Sequence, residues 1–312
     1  MDFDTLIVIT DKDFERVSSQ YERLLKNMPG RRVLFVGPPR VEELVIALGA
    51  GGRAGYINEN DILPFDEVHA LMSSHMKERL GDQEMPRGVT GWYYQQFLKL
   101  SYAFCCPDSY YMTWDGDTIP CAPFSMFDDQ GRPFMDMKRE YHREYFETME
   151  KLIPGLSRTT DRSFISEHLL FDRELVRELV RVIEGNDSLE GRSYWEKIIR
   201  AIPPELITKS AFSEFETYGS FVTTRYPDRY VFRSWHSFRT GGDFFDIGTI
   251  CDRDYEWLAV DFAAISFEKW SSVREDHRNL FDNPEYQKKL SARQMLQIAQ
   301  EEFTDGYIEV WD

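Results

Sequence analysis

The sequence predicts an α/β fold, with a Rossmann-like first half built on a mixed sheet and an α+β second half. Three observations carry that reading. Short continuous apolar runs alternate with helical periodicity over the first third. A run of β-formers at 109–114 ends abruptly at Asp115-Gly116-Asp117. After Pro120 the strand–helix alternation gives way to a hairpin signal and a series of helices.

The elements follow in order. Residues 6–10 form an apolar run of the kind buried in a parallel sheet, and Asp11 and Asp13 after it suit a helix N-cap. Phe14, Val17, Tyr21, Leu24, Leu25 and Met28 recur at helical spacing, and Pro29-Gly30 stops the pattern before a second strand at 32–37. Pro38-Pro39 opens a helix through Leu44, Val45 and Leu48, and a glycine-rich turn at 49–55 leads to a short strand around Tyr56-Ile57. Helices are expected at 65–80 and 90–104, separated by a turn-rich stretch at 81–86. The strand at 109–114 then places Asp115 and Asp117 at its carboxyl end, the edge at which open α/β sheets bind ligands. Beyond it, 124–137 reads as a hairpin around Asp128 to Arg132, and helices are expected at 141–152, 172–183, 194–201 and 210–218. Residues 185–188 read as an exposed loop. Neither a repeat nor an interdomain linker interrupts the chain, so residues 1–312 read as one continuous unit.

Composition narrows the partners. The chain has 312 residues with 42% hydrophobic content, ample for a large core. Lys and Arg number 37 against 54 Asp and Glu, a net charge of −17, which repels a phosphate polymer and argues against nucleic acid. An anionic small molecule would instead need a local device, such as a divalent cation or a few placed Arg and Lys. No stretch has the length or apolarity of a signal peptide or a membrane span, which gives the expectation of a soluble cytoplasmic protein. Cys105, Cys106, Cys121 and Cys251 lack a CxxC pattern and read as reduced thiols.

An Asp-x-Asp at a strand end suits Mn²⁺ or Mg²⁺, because these hard cations take carboxylate oxygens and keep positions for phosphate oxygens and water. Alone it also suits a solvated turn. Here it follows an aromatic strand and precedes Thr118-Ile119-Pro120, an arrangement that resembles the metal-binding motif of GT-A glycosyltransferases. The segment Gly91-Trp92-Tyr93-Tyr94-Gln95-Gln96-Phe97-Leu98-Lys99-Leu100, about a dozen residues before the Asp-Gly-Asp strand, looks like a bacterial family of uncharacterised GT-A-like, DUF6492-like proteins. So do Ser166-Glu167-His168-Leu169-Leu170-Phe171-Asp172-Arg173 and Phe212-Ser213-Glu214-Phe215-Glu216-Thr217-Tyr218-Gly219. The resemblance spans roughly residues 5 to 240.

That resemblance implies a GT-A-like nucleotide-diphospho-sugar transferase fold, with 1–120 as a donor half and 121–312 as an acceptor half. It also implies transfer of a sugar from a nucleoside-diphosphate donor to the hydroxyl of a glycan or lipid-linked glycan, in bacterial surface-glycan assembly, at or near the inner face of the membrane. Asp115 and Asp117 are the expected metal ligands, and many GT-A enzymes bring a C-terminal histidine back to the ion, which nominates His236. Thr10 and Asp13, with Asp11, end the first strand where such enzymes contact the base and ribose, although helix capping explains the two carboxylates equally well. Trp92, Gln95, Gln96 and Lys99 share one side of a helix and form a candidate surface for the diphosphate, with Arg87 before that helix as another phosphate clamp. The competing reading is a core helix with Lys99 solvated.

Glu214 and Glu216 lie two apart and should face different ways, one of them as the base that deprotonates the acceptor, with Glu216 favoured. His168, before an apolar run, reads as a buried, satisfied histidine. Two other enzymes compete: a nucleotidyltransferase, which usually carries a glycine-rich basic loop that Thr10-Asp11-Lys12-Asp13 lacks, and a nucleotide-sugar hydrolase. The non-enzymatic alternative is a metal-stabilised interaction or glycan-binding module, suggested by the 15% aromatic share.

Overall fold

A computed structural model describes residues 2–49, 52–81, 83–275, 277 and 279–302. The expected turns at 49–55 and 81–86 therefore lie partly outside the described residues, at 50, 51 and 82. The fold is mixed α/β, as the sequence predicts. Its central sheet contains β1 (Asp4–Val8), β2 (Val33–Gly37), β3 (Ala54–Asn58), β4 (Tyr110–Trp114) and, further along the chain, the strand His168–Asp172. Their order is β3-β2-β1-β4 followed by His168–Asp172. The first four are parallel and the last is antiparallel, with Trp114 opposite His168. The C-terminal ends of β1 to β4 thus share one edge, and the antiparallel strand begins at that edge.

Alternation along each strand divides the core into two layers. Leu6, Leu34, Val36, Tyr111, Leu169 and Phe171 pack beneath the long helix Arg87–Ser101 and the helices of the second half. Ile7, Phe35, Met112 and Leu170 face the opposite layer, formed by the first helices and the C-terminal segments. The aromatic residues are mainly core: Trp114, Tyr21, Tyr93, Tyr111, Tyr218 and Tyr255 are among the largest fully buried side chains.

Three further pairings complete the architecture. β5 (Thr118–Pro120) leaves the Asp-Gly-Asp turn and pairs with β10 (Ala264–Ser266), which pairs in parallel with β9 (Ser237–Phe238). β6 (Phe134–Met137) pairs in parallel with β8 (Val231–Ser234), leaving β7 for His168–Asp172. The C-terminal chain is thereby stitched to the strand that follows the acidic motif.

Several expectations are corrected. The helix expected across 14–28 is broken into Asp11–Val17, a 3₁₀ turn and Tyr21–Asn27. Its N-cap is Thr10, which accepts from the Asp13 amide, so Asp11 and Asp13 belong to the first turn instead of capping it. The hairpin at 124–137 reduces to a single Phe127–Pro133 bridge, because Phe134–Met137 finds its partner a hundred residues away. β5, β7, β8, β9 and β10 lie outside the strands that the sequence predicts. The four cysteines are free thiols.

Candidate active site

The acidic turn is fixed from both sides. Trp114 donates its indole N–H to the Thr118 carbonyl at 2.7 Å, and the Asp115 amide donates to the Glu167 carbonyl at 2.8 Å. Across β10 the Phe267 amide donates to the Asp117 carbonyl at 2.8 Å. Gly116 matters for close approach: a Cβ there would come within 2.7 Å of Ile9 and 3.0 Å of Ile7. Glu167 adopts φ +61°, a left-handed conformation rare outside glycine and costing of order 1–3 kcal/mol, which the surrounding bonds must hold in place.

The two aspartates differ in their surroundings. Asp115 receives Lys99 Nζ at 3.0 Å, and the same ammonium pairs with Glu214 at 2.9 Å. Burial opposes the charge of Lys99, but these carboxylates outweigh it and hold its pKa above the ordinary value. The half-buried Asp117 carboxylate accepts one long hydrogen bond, from Thr118 Oγ1 at 3.4 Å, and has no ion pair among the described residues. Burial pushes its pKa from 3.8 to about 7, with the charges of Asp115 and Glu268 adding to the effect against Arg16 and Arg239.

Around this pair lies a polar ring. Lys138 Nζ donates to Glu167 at 2.6 Å and to Ser237 Oγ at 2.7 Å, and Ser237 Oγ donates to the other Glu167 oxygen at 3.0 Å. Arg239 stands between Glu140, Glu167 and Glu268. Arg16, from the first helix, reaches the Phe267 carbonyl and Asp13, and Thr10 donates its hydroxyl to Asp13 at 2.7 Å. Thr10 and Asp13 are thus joined through Arg16 to the strand beside Asp117.

Other expected site residues are placed differently. Gln96 is buried, and its amide oxygen accepts from the Glu214 amide at 3.0 Å; Lys99 is 4% exposed, so neither presents an open surface. Trp92 is half-buried against the Tyr93 ring and the core. The exposed Arg87 lies 4.4 Å over the Phe65 ring and 3.8 Å from Asp66. The backbone of His236 lies at the far end of β10 from the acidic turn: its carbonyl accepts from Ala263, level with Cys121, whereas Asp117 lies level with Phe267. Register brings Arg239, three residues later, to the acidic end in its place.

Glu214 and Glu216 face different ways. Glu214 turns to Lys99, while Glu216 accepts from Ser163 Oγ, feels the Phe164 backbone amide, and has its Oε2 buried with no hydrogen-bond partner among the described residues. Burial pushes Glu216 up to about 7. His168 is structural: Nε2 meets Asp136 at 2.8 Å and Nδ1 meets the Ser166 carbonyl at 2.8 Å.

Nothing in the sequence marks Arg239, Glu268, Glu140 or Lys138 as site residues. Their only local signal was charge next to short apolar runs, and the pairing that gathers them is long-range.

The donor set fits a hard cation. Asp115 and Asp117 offer oxygen ligands, and Asp117 has no positive partner of its own. Among the described residues no three His, Cys, Asp or Glu side chains converge as a ready-made cage, so further positions would go to substrate oxygens and water. No helix among the described residues is long and apolar enough to cross a membrane.

Comparison with known proteins adds the following. The sequence pattern of a family described as "Family of unknown function (DUF6492)" matches residues 31–281. No curated protein matches the chain. Solved structures similar to it include mouse xyloside xylosyltransferase 1 in its apo form, at 12% identity and TM-score 0.45, covering 88% of this chain and all of that one. The galactosyltransferase LgtC, solved with donor and acceptor sugar analogues, is 11% identical with a TM-score of 0.43, covering 85% and 87%. The glycosyltransferase GlyE of Streptococcus pneumoniae is 11% identical with a TM-score of 0.39, covering 97% of this chain and 64% of that one.

Proposed function

The chain belongs to the DUF6492 family of unknown function, and from that premise we propose that it is a GT-A-type glycosyltransferase moving a sugar from a nucleoside-diphosphate donor to an acceptor hydroxyl. One observation carries the reading: a pair of carboxylates at the C-terminal edge of a mixed sheet, one of them without a cation of its own. A divalent cation, Mn²⁺ or Mg²⁺, held by Asp115 and Asp117 would offset the charge of the departing diphosphate.

The chain's own groups do the rest. Lys99, fixed between Asp115 and Glu214, orients the Asp115 carboxylate. Thr10 and Asp13, joined to this edge through Arg16, suit the base and ribose of the donor. Glu216 serves as base: a pKa near 7 and an unpartnered buried oxygen fit a group that takes a proton from the acceptor hydroxyl at neutral pH. Residues 1–120 then form the donor half and 121–312 the acceptor half, acting on a glycan or lipid-linked glycan in surface-glycan assembly in the cytoplasm.

The test is release of free nucleoside diphosphate from a panel of nucleotide sugars, with and without Mn²⁺. Metal-dependent release is expected from one donor. No release from any donor in Mn²⁺ would overturn the reading.

A further inference from the structure

Among the described residues, Lys99, Lys138, Arg16 and Arg239 stand around the acidic edge, and the first three are hydrogen-bonded by the protein. Lys99 bridges Asp115 and Glu214, Lys138 bridges Glu167 and Ser237, and Arg16 is tied to the Phe267 carbonyl and Asp13. Arg239 differs. Its Nη1 lies 3.7 Å from Glu140, and its Nε lies 3.7 Å from both Glu167 and Glu268; it makes no hydrogen bond among the described residues. Its side chain is 38% exposed.

Arg233, six residues earlier, shows what a structural arginine does in the same region. It donates Nε and Nη2 to Asp136 at 2.6 and 2.7 Å, a closed bidentate pair. The acidic neighbours of Arg239 instead hold its charge at 3.7 Å without taking a hydrogen bond from its planar donor fork.

The backbone fixes where that fork stands. Thr240 adopts φ +52°, and its amide donates to Glu268 Oε1 at 3.1 Å. Gly241 follows so closely over β10 that a Cβ would come within 2.7 Å of the Ser266 carbonyl oxygen. Extending the β9–β10 register by one residue sets Arg239 level with Ser266, the partner of Thr118, across β10 from the strand that leaves Asp117, and its charge acts on that carboxylate.

We propose that Arg239 receives the phosphoryl oxygens of a nucleoside diphosphate bound at the Asp115–Asp117 edge. The proposal rests on the glycosyltransferase reading and adds to it the anion-binding side chain, in place of Arg87 and Lys99. A guanidinium offers two parallel N–H donors that match two phosphate oxygens, and a nucleoside without phosphate offers none of these acceptors. Arg239 therefore distinguishes diphosphate from nucleoside.

The test is calorimetry on the full chain with the uridine, guanosine, cytidine, adenosine and thymidine diphosphates and the matching nucleosides, in Mn²⁺ and in EDTA. Wild type should bind one of the diphosphates. Arg239→Ala should weaken that binding about 10- to 100-fold, and Arg239→Lys, which keeps the charge without the fork, about 10-fold. Nucleoside affinity should change less than about twofold in either variant. Wild-type diphosphate affinity in both variants would reduce Arg239 to a counter-ion and overturn the proposal while the glycosyltransferase reading stood. No diphosphate binding by wild type would overturn both. Should Arg239→Ala not fold, Arg239→Lys decides alone, and wild-type affinity in it overturns the proposal.

Discussion

The two edges of the central sheet treat an aspartate in opposite ways. At the N-terminal edge, Asp4 opens β1 fully buried, with Arg31 at 3.1 and 3.2 Å and Arg32 at 2.6 and 3.4 Å. Burial alone would raise its pKa, but the hydrogen bonds and charges of Arg32 and Arg31 outweigh it and lower the value. At the C-terminal edge, Asp117 follows β4 with no ion pair among the described residues, and burial raises its pKa to about 7 against the more distant charges of Arg16 and Arg239. A carboxylate closed by its neighbours holds the fold together, whereas one left open has capacity for a ligand. The contrast predicts which substitutions harm function and which harm stability.

The largest effect should come from the open edge. Asp117→Asn should lower metal-dependent turnover about a thousandfold, because it removes a ligand to the charge that offsets the diphosphate. Its melting temperature should equal or exceed that of wild type at pH 8, since an uncompensated charge has been deleted. Near-wild-type turnover would break the comparison. Glu216→Gln comes next, with about 100-fold slower turnover and unchanged donor affinity, the signature of a lost proton acceptor. An NMR assignment of the product as retained in anomeric configuration would remove the need for this base.

The closed edge predicts a loss of stability instead. Asp4→Asn should cost about 1–3 kcal/mol in denaturant unfolding, the usual range for charge-assisted hydrogen bonds, with turnover of the folded protein unchanged. Arg31 and Arg32 are nearly half exposed and stay solvated, so the upper range for a stranded buried charge does not apply.

The edges should also differ in pH dependence. Asp4 has a lowered pKa when folded, so its contribution is present above the unfolded value near 3.8 and is lost as pH falls through the folded one. Asp117 retains a proton between 3.8 and about 7 that the unfolded chain releases, so stability falls as pH rises through that window and levels off above it. Asp4→Asn should flatten the acid limb, and Asp117→Asn the limb between pH 4 and 7. Identical profiles for the two variants would show that the edges do not differ electrostatically.

The same two edges mark what the sequence discloses. Strands β1, β2 and β4 are short, continuous apolar runs with clear stops, so the parallel sheet and the position of Asp115 and Asp117 at its edge could be read locally. β9 and β10 contain only two and three residues, too short for a periodicity, and their parallel pairing brings Arg239 and Glu268 to the acidic turn through contacts that no local pattern encodes. The strand His168–Asp172 is illegible for another reason: it is a five-residue run that passes directly into the helix capped by Asp172, so no turn signal separates the two. The residue type of His236 is legible in the sequence, but the register that sets its backbone at the other end of β10 is not. Gln96 and Lys99 share the expected helix face, but that face is covered by Glu214 and its neighbours instead of lying open.

The smallest expected effect tests whether that open edge extends as far as the start of the Arg87–Ser101 helix. Arg87 is at the surface, resting on the Phe65 ring with Asp66 at 3.8 Å, and its charge also reaches Glu59, whose pKa burial raises to about 7. Exposed pairs of this kind contribute roughly 0–1 kcal/mol, so Arg87→Ala should move the melting temperature by no more than about 2 °C. If Arg239 is the residue that holds the diphosphate, the same variant should weaken nucleotide binding less than about threefold, because a solvated guanidinium engaged on an aromatic face has little left to offer. A loss of tenfold or more would place the donor phosphates along the Arg87 end of the cleft and would make Arg239 a counter-ion of its three carboxylates. The ratio of the two losses, Arg239→Ala over Arg87→Ala, therefore measures where along the edge the anion sits.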